Sequence, residues 1–143
     1  MIKLKITTVL ALAIASVAIV AIGAAAPLNT IDLASKDGLG EYLVDQDGMT
    51  LLYYFADDDP ESEASSCGDT CILYWPPFHT GQIIIPGELS SFDFDYIYRE
   101  DDVAQTTYKG WPLYYYINDY NPGDINGQGM YDTWFVAGPD MMP

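Results

Sequence analysis

Two ten-residue stretches of similar sequence decide the fold of this chain: GMTLLYYFAD at residues 48–57 and GWPLYYYIND at residues 110–119. Each begins at a glycine, which suits a turn, and continues in leucine and in the aromatic residues that favour strands. Aligned without a gap, the two stretches share glycine, leucine, two tyrosines and aspartate. This internal repeat predicts two related units that share one core.

A second alignment of the two stretches is shifted by one residue after the leucine. It pairs three positions of each stretch, namely Tyr53, Phe55 and Asp58 with Tyr114, Tyr116 and Asp119. The doubled leucine at residues 51 and 52 then contains an extra residue, which marks a β-bulge. The choice matters because a slip of one residue moves every side chain of a strand to the opposite face of the sheet.

Short segments rich in Tyr, Ile, Val, Phe and Trp dominate the chain beyond residue 40 and are bounded by Gly, Pro, Asp and Asn. This pattern is typical of strands, and no helical period is sustained after residue 30. We expect strands at residues 41–45, 49–56, 82–85, 92–98, 105–108, 112–117 and 133–137, with turns at 46–48 and 108–110. The predicted fold is therefore all-β, a small antiparallel sandwich or meander of two related units, at about residues 41–80 and 92–140.

The N-terminal residues have the composition of an export signal. Lys3 and Lys5 precede an uncharged, mostly apolar run at residues 6–26 that ends in small residues, as in a secretory signal peptide. The run is also long enough for a retained membrane anchor, whose N-terminus would lie inside. Either way, an N-terminal hydrophobic helix precedes an exported remainder. The predicted parts are residues 1–26, a linker or loose first strand at 27–40, and an acidic β domain at 41–143.

The charge of the chain limits its partners. There are 21 acidic and five basic residues, and the formal net charge is −16. Beyond residue 26 the basic residues are Lys36, Arg99 and Lys109 alone. Such a chain is repelled by nucleic acid and by anionic membrane surfaces, so we expect membrane contact only as anchoring through residues 6–26. Solubility in a salty or calcium-rich environment and cation binding both account for the acidity.

Aromatic residues alternate along the repeated stretches, at Tyr53 and Phe55 and at Tyr114 and Tyr116. One interpretation is that one alternate set packs into the core while the other covers the sheet. The other interpretation is an exposed platform for a glycan or a protein partner, because tyrosine supplies a rigid surface with a polar tip. The exposure of these rings distinguishes the two.

Two cysteines, Cys67 and Cys71, enclose three residues. In an exported protein such a pair usually forms a disulfide, and a loop this short would act on local shape more than on chain entropy. The alternative is a copper site that uses both thiolates and His79, the single histidine, because thiolate and imidazole ligands suit copper.

A glycine-rich loop in the second unit offers oxygen ligands at near-alternate positions. These are Asp119, Asn121, Asp124 and Asn126. Calcium takes six to eight oxygens from carboxylates, amides and carbonyls, so the loop is a candidate calcium site, although it lacks the EF-hand pattern. The alternative is an ordinary turn, in which Asp, Asn and Gly occur for backbone reasons.

Signals of catalysis are few. One histidine removes most histidine-based mechanisms, and the sequence has no nucleophile elbow, phosphate loop or zinc-protease motif. Carboxylates are so abundant that a glycosidase-like pair cannot be selected from the sequence. We therefore expect a protein that is not an enzyme.

Much of the chain carries a family resemblance. The residues concerned are Tyr53, Phe55, Asp58, Cys67, Cys71, Trp75, Tyr108, Gly110, Trp111, Pro112, Tyr114, Tyr116 and Trp134. In this order they resemble a family of secreted bacterial and archaeal lipoprotein repeats with a Tyr-x-aromatic-x-x-Asp motif. The resemblance covers most of residues 41–140 and implies export and a repeated β unit, but no established activity. The chain departs from it in having no lipoprotein cysteine.

These observations lead to one main functional hypothesis. The chain is an exported cell-surface or extracellular domain with a binding or structural role, stabilised by calcium, and its partner is a protein or a glycan. One alternative is a copper-binding or electron-transfer protein that uses Cys67, Cys71 and His79. The other is a hydrolase of envelope polymers.

Overall fold

The computed structural model describes residues 29–56 and 60–141. The expected N-terminal helix and Asp58 lie outside the described residues. Within them the strands are β1 Ile31–Lys36, β2 Gly40–Asp45, β3 Leu52–Tyr54, β4 Phe94–Tyr98, β5 Ala104–Tyr108, β6 Trp111–Tyr114 and β7 Trp134–Val136. Three short 3₁₀ helices span Cys71–Leu73, Ser91–Asp93 and Met130–Asp132.

The strands form two antiparallel sheets. Strands β1 and β2 make a two-stranded hairpin, and the other five are ordered β4-β5-β6-β3-β7. The predicted all-β, antiparallel class is therefore confirmed. The β5–β6 turn lies where glycine predicted it, with positive φ at Lys109 and at Gly110. At the 46–48 turn, the carboxylate of Asp45 accepts hydrogen bonds from the N–H groups of Asp47 and Met49.

Several strand boundaries differ from the prediction. Of the two alternatives for residues 27–40, a linker or a loose first strand, the structure shows the strand: β1 pairs along its whole length with β2 and buries Ile31 completely. Residues 82–85 are not a strand. They are held by Thr30, which donates its N–H to the Ile84 carbonyl (2.7 Å) and accepts the Ile84 N–H on its hydroxyl (2.9 Å). Pro86 follows at once and lacks an N–H that could extend a ladder.

Hydrogen bonds between the two units decide how the repeated stretches align. Strands β3 and β6 are central neighbours, and each also contacts the end of the other unit. The Leu51 carbonyl accepts the N–H of Ala137 (2.9 Å), and the Leu113 carbonyl accepts the N–H of Phe78 (2.9 Å). Leu51 and Leu113 are therefore structural equivalents.

The equivalence continues along both strands without a shift. The N–H of Phe55 donates to the backbone carbonyl of Thr133 (2.8 Å), and the N–H of Ile117 donates to the backbone carbonyl of Tyr74 (2.9 Å). The spacing from Leu51 to Phe55 equals the spacing from Leu113 to Ile117, so the ungapped alignment is correct. No residue is inserted at the doubled leucine, and the expected bulge there is wrong.

The central strands of the larger sheet, β3 and β6, are buried on both faces. On one face, a first core joins the two sheets through Ile31, Leu43, Leu51, Phe78, Leu89, Phe94, Tyr108, Leu113 and Ala137. On the other face, a second core contains Leu52, Cys67, Trp75, Tyr114 and Trp134. Consecutive residues of the central strands thus belong to different cores, as the period of two requires.

Four aromatic rings form a continuous stack at the centre of the second core. The ring of Tyr54 lies 4.3 Å from that of Trp134, which lies 3.8 Å from Trp75, which lies 4.3 Å from Tyr116. The two indoles are nearly parallel, with an interplanar angle of 3°. By the ungapped alignment, Tyr54 is equivalent to Tyr116, so this aromatic stack repeats the pseudo-symmetry of the two units.

The close contact of Gly127 with the aromatic stack gives a test of its packing. A Cβ at this position would lie 2.8 Å from Leu52 Cδ2 and 3.0 Å from Trp75 Cζ3. We expect Gly127→Ala to lower the free energy of unfolding by about 1–3 kcal/mol, because overpacking a dense core strains it. Gly87→Ala is the control, since its Cβ would meet nothing within 4 Å. Equal stabilities of the two variants in urea unfolding would contradict this account.

Candidate functional site

The two cysteines form the disulfide that the sequence predicted. Cys67 and Cys71 are bonded, with their Cα atoms 5.3 Å apart. Cys67 is buried in the second core, and Cys71 begins the 3₁₀ helix that precedes Trp75. The disulfide therefore fixes the loop that leads to Trp75, whose indole belongs to the aromatic stack.

A buried arginine attaches this loop to the sheet. Arg99 is 7% exposed, and its guanidinium donates to Ser65 Oγ (2.7 Å), to Gln105 Oε1 (2.7 Å) and to the carbonyl oxygen of Cys67. The Nε atom of Arg99 makes no hydrogen bond within the described residues, although a carboxylate oxygen of Asp101 lies 3.6 Å away. Three directed hydrogen bonds offset the cost of burying this cation and orient the disulfide loop.

The copper hypothesis is not supported by this arrangement. Both sulfurs are bonded to each other, so neither is a thiolate. His79 is exposed, and its neighbours are the hydroxyl of Thr106, at 3.4 Å from Nδ1, and the ring of Tyr96. Among residues 29–56 and 60–141, no three His, Cys, Asp or Glu residues are grouped so that they could hold a metal ion.

The candidate calcium loop is organised by hydrogen bonds of its own. Asp124 Oδ2 accepts the N–H groups of Tyr120 (3.0 Å) and Asn121 (2.9 Å), and these bonds lower the pKa of Asp124. The Asn126 side chain donates to the Asn118 carbonyl (3.0 Å). Asp124 therefore caps the turn, which is the role that the alternative interpretation gave it.

Asp119 is the unusual member of this loop. It is 7% exposed, and its Oδ1 accepts the N–H of Asn126 (2.8 Å), whereas its Oδ2 is buried without a hydrogen bond from any described residue. Burial raises the pKa of Asp119, the hydrogen bonds from Asn126 oppose this effect, and the charge of Asp124 adds to it. Its carboxylate is thus less stable in the folded protein than in the unfolded chain.

The two carboxylates predict opposite responses to acid, measured as urea unfolding in EDTA. Because the folded pKa of Asp119 lies above its ordinary 3.8, the folded state binds the proton first as pH falls. We therefore expect the wild type to gain stability relative to Asp119→Asn between that raised pKa and pH 3.8. The folded pKa of Asp124 lies below 3.8, so its contribution is present at neutral pH and is lost as pH falls through that lowered pKa. Parallel pH curves for wild type, Asp119→Asn and Asp124→Asn would contradict both assignments.

Most of the repeated aromatic residues pack inside the protein. Tyr114 is fully buried and meets Trp134 edge to face, Tyr116 belongs to the aromatic stack, and Tyr53 lies against Trp111. Tyr108, Trp111 and Pro112 are buried as well, and the Trp111 Nε1 has no hydrogen-bond partner within the described residues. Phe55 is exposed but stacks on the Trp111 ring at 6.0 Å. This placement favours packing over an exposed platform.

The remaining member of the motif, Gly110, is required by its surroundings. Its φ is +83°, and a Cβ there would meet the backbone of Pro60. The turn between β5 and β6 therefore lies directly under the chain that leads from Pro60 towards the disulfide.

Exposed aromatic residues lie instead on β4, at the edge of the larger sheet. Tyr96 is 54% exposed and Tyr98 is 67% exposed, and their rings meet at a near-right angle with centroids 5.5 Å apart. They border a cavity of about 430 Å³ together with His79, Thr80 and Thr106. Thr106 is buried, and its hydroxyl accepts the Thr80 N–H (3.1 Å), so the accessible polar groups are the His79 imidazole and the Thr80 hydroxyl. We call Tyr96, Tyr98, His79, Thr80 and Thr106 the tyrosine face.

A second depression of about 820 Å³ follows the same strand and is called the β4 groove. It extends between β4 and the chain near Pro60, and Phe92 at its margin is 98% exposed. Its acidic residues are Glu61, Glu63, Asp93 and Asp95. The lining lysine, Lys109, donates its ammonium group to the carbonyls of Pro139 (2.7 Å) and Met141 (3.2 Å).

Neither surface was predicted from the sequence. The alternation of Phe92, Phe94, Tyr96 and Tyr98 was available as a signal, since it has the same period of two as the buried motif. No comparable signal points to Arg99 and its partners, or to Asp45, which accepts a hydrogen bond from the Tyr115 hydroxyl (2.8 Å). Burial and this hydrogen bond raise the pKa of Tyr115.

The part of the chain that the structure describes contains no helix with the length and apolar character of a membrane span. The apolar run at residues 6–26 is not part of it.

Two β units with a shared aromatic stack and a disulfide define a tandem-repeat domain suited to oxidising surroundings. A family model described as a secreted repeat of unknown function matches residues 34–79 and again residues 96–138. The chain belongs to this family of secreted repeats and is an exported protein. No curated protein and no solved structure matches it.

Proposed function

We propose that this exported protein is a non-enzymatic, glycan-binding domain at the cell surface or in the extracellular medium, and that the tyrosine face is its binding site. The observation that carries the proposal is the pair of exposed rings, Tyr96 and Tyr98, beside a cavity with polar groups. Most other aromatic residues of the sheet are used in packing, so these rings are surface that the fold does not need.

The tyrosine face has the two kinds of surface that a sugar requires. A sugar ring presents C–H groups on its faces and hydroxyls at its edge. Tyr96 and Tyr98 supply apolar rings for the faces, while the His79 imidazole and the Thr80 hydroxyl offer hydrogen-bonding groups for the sugar hydroxyls. The volume of about 430 Å³ lies within the usual range of small-molecule sites.

A binding role is favoured over hydrolysis by the exposure of the carboxylates. A glycosidase needs one carboxylic acid with a raised pKa, which burial usually provides. Within the described residues, the acidic side chains of the β4 groove include Glu61, Glu63 and Asp95, and all three are exposed to solvent. The carboxyl group whose pKa burial raises, that of Asp119, lines neither the β4 groove nor the tyrosine face.

Oligosaccharide titrations test the proposal. Chitotetraose, cellotetraose and mannotetraose are added to the purified protein, and binding is measured by calorimetry. We expect at least one to bind, and Tyr98→Ala to weaken that binding at least about tenfold, because an aromatic anchor contributes on the order of 2 kcal/mol. Tyr120→Ala removes another exposed tyrosine, outside the tyrosine face, and should leave the affinity unchanged. Failure of all three sugars to bind, or equal effects of the two substitutions, would sink the proposal.

Calcium stabilisation is a second candidate, favoured by the buried Oδ2 of Asp119. This atom has no hydrogen-bond donor among the described residues, and a cation would compensate its charge. Because the described residues contain no group of three acidic, His or Cys side chains suited to a metal, amide and main-chain oxygens would have to complete the site. A ligand that binds only the folded state raises the midpoint of thermal unfolding by mass action. We expect calcium, added after chelation at fixed ionic strength, to raise the midpoint of the wild type but not that of Asp119→Asn. No rise, or the same rise with magnesium or in the variant, would contradict a specific site.

A further inference from the structure

Strand β4 leaves one side of its backbone open. Among residues 29–56 and 60–141 it is the terminal strand of the larger sheet and pairs only with β5. Beyond the two ends of the β4–β5 ladder, the backbone N–H of Arg99 donates to the carbonyl of Val103 (3.0 Å), and that of Lys109 donates to the backbone carbonyl of Asp93 (2.6 Å). These bonds fix the parity of the strand: its odd-numbered residues direct their N–H and C=O groups towards β5, and its even-numbered residues direct theirs outward.

The outward groups are only partly occupied. The Phe94 N–H donates to the carbonyl of Ser91, and the Tyr96 N–H donates to the side chain of its neighbour Asp95 (2.8 Å). Among the described residues, the C=O groups of Tyr96 and Tyr98 accept no backbone hydrogen bond, and the N–H of Tyr98 donates none. Such an edge is a template for one more strand.

The surroundings of this edge set the chemistry of the strand that fits it. The β4 groove carries carboxylates from Glu61, Glu63, Asp93 and Asp95, and the ammonium group of its lysine is already bonded to carbonyls. The exposed Phe92 ring offers a π face to a cation. A second copy of this acidic chain would be repelled, whereas a basic segment would be attracted.

We propose that β4 binds an extended, basic segment of a partner protein by strand addition. The incoming strand pairs with Tyr98 and with the carbonyl of Tyr96, and its side chains alternate between the two faces of the sheet. The residue opposite Tyr98 places its side chain over the tyrosine face. The residues of the incoming strand before and after it place their side chains over the β4 groove. Lysine or arginine is therefore required at every second position of the incoming strand.

This inference does not rest on glycan binding. It depends on the open backbone and on the acidic groove, and a protein that binds no sugar could still add a strand. Substitutions at Glu61 and Glu63 leave the rings of the tyrosine face in place, so the two proposals fail separately.

The experiment compares two fluorescently labelled peptides with the same charge and the same lysine spacing, KTKTKTKT and KPKPKPKP. The threonines are the residues whose main chain pairs with Tyr98, and proline at these positions removes their N–H donors. We expect the purified protein to bind the threonine peptide at least about tenfold more tightly in fluorescence anisotropy. Equal affinities would show attraction by charge alone and would overturn strand addition, as would failure to bind either peptide.

A matched pair of protein variants locates the site. Glu61→Gln/Glu63→Gln removes two charges of the β4 groove, and Asp37→Asn/Glu41→Gln removes two exposed charges at the β1–β2 hairpin, so the net charge changes equally. We expect about tenfold weaker binding of KTKTKTKT by the first variant and no change for the second. Equal weakening by both variants would assign the binding to net charge and overturn the proposal.

Discussion

The contact between the indoles of Trp75 and Trp134 is the interaction on which the rest of the structure depends. Each tryptophan lies near the end of one unit, and each is followed by a segment that pairs with the central strand of the other unit. Neither unit can bury its own tryptophan alone, because the partner ring comes from the other. The disulfide and Arg99 serve this contact by fixing the loop that carries Trp75. The repeat is therefore a packing requirement as well as a pattern in the sequence.

Burial on both faces explains why the repeated aromatic pattern of the two stretches is structural. In the central strands β3 and β6, one alternate set of side chains enters the first core and the other enters the second core. No face of these strands is left for a ligand. The terminal strand β4 is different because, within the described part of the chain, it has a neighbouring strand on one side only, and Tyr96 and Tyr98 are more than half exposed. The same period of two thus gives packing at the centre of the sheet and accessible rings at its edge.

This difference marks the limit of what the sequence could predict. The strands around Tyr53, Tyr114 and Trp134 follow from local composition, and so does the turn at Gly110. The order of strands in the sheet does not follow from local composition, since it is set by long-range pairing. That order alone distinguishes Tyr98 from the buried tyrosines. The register of the two stretches was undecided for the same reason: the bonds that fix it come from chain segments far away in sequence. Strand β1 could not be distinguished from a linker because Gly38 and Gly40, which form its hairpin with β2, suit both.

The acidic residues beside the edge strand β4 affect which strands can pair with it. An open edge normally invites pairing with another copy of the same chain. Here the β4 groove places carboxylates beside that edge, and Asp95 also occupies the outward N–H of its neighbour Tyr96. Each copy carries the same charges, so self-pairing is opposed by repulsion over the range that salt leaves unscreened. Repulsion of this kind does not act against a basic strand, for which the same carboxylates are favourable. The same carboxylates therefore oppose the pairing of β4 with a second copy of the chain and favour its pairing with a basic strand.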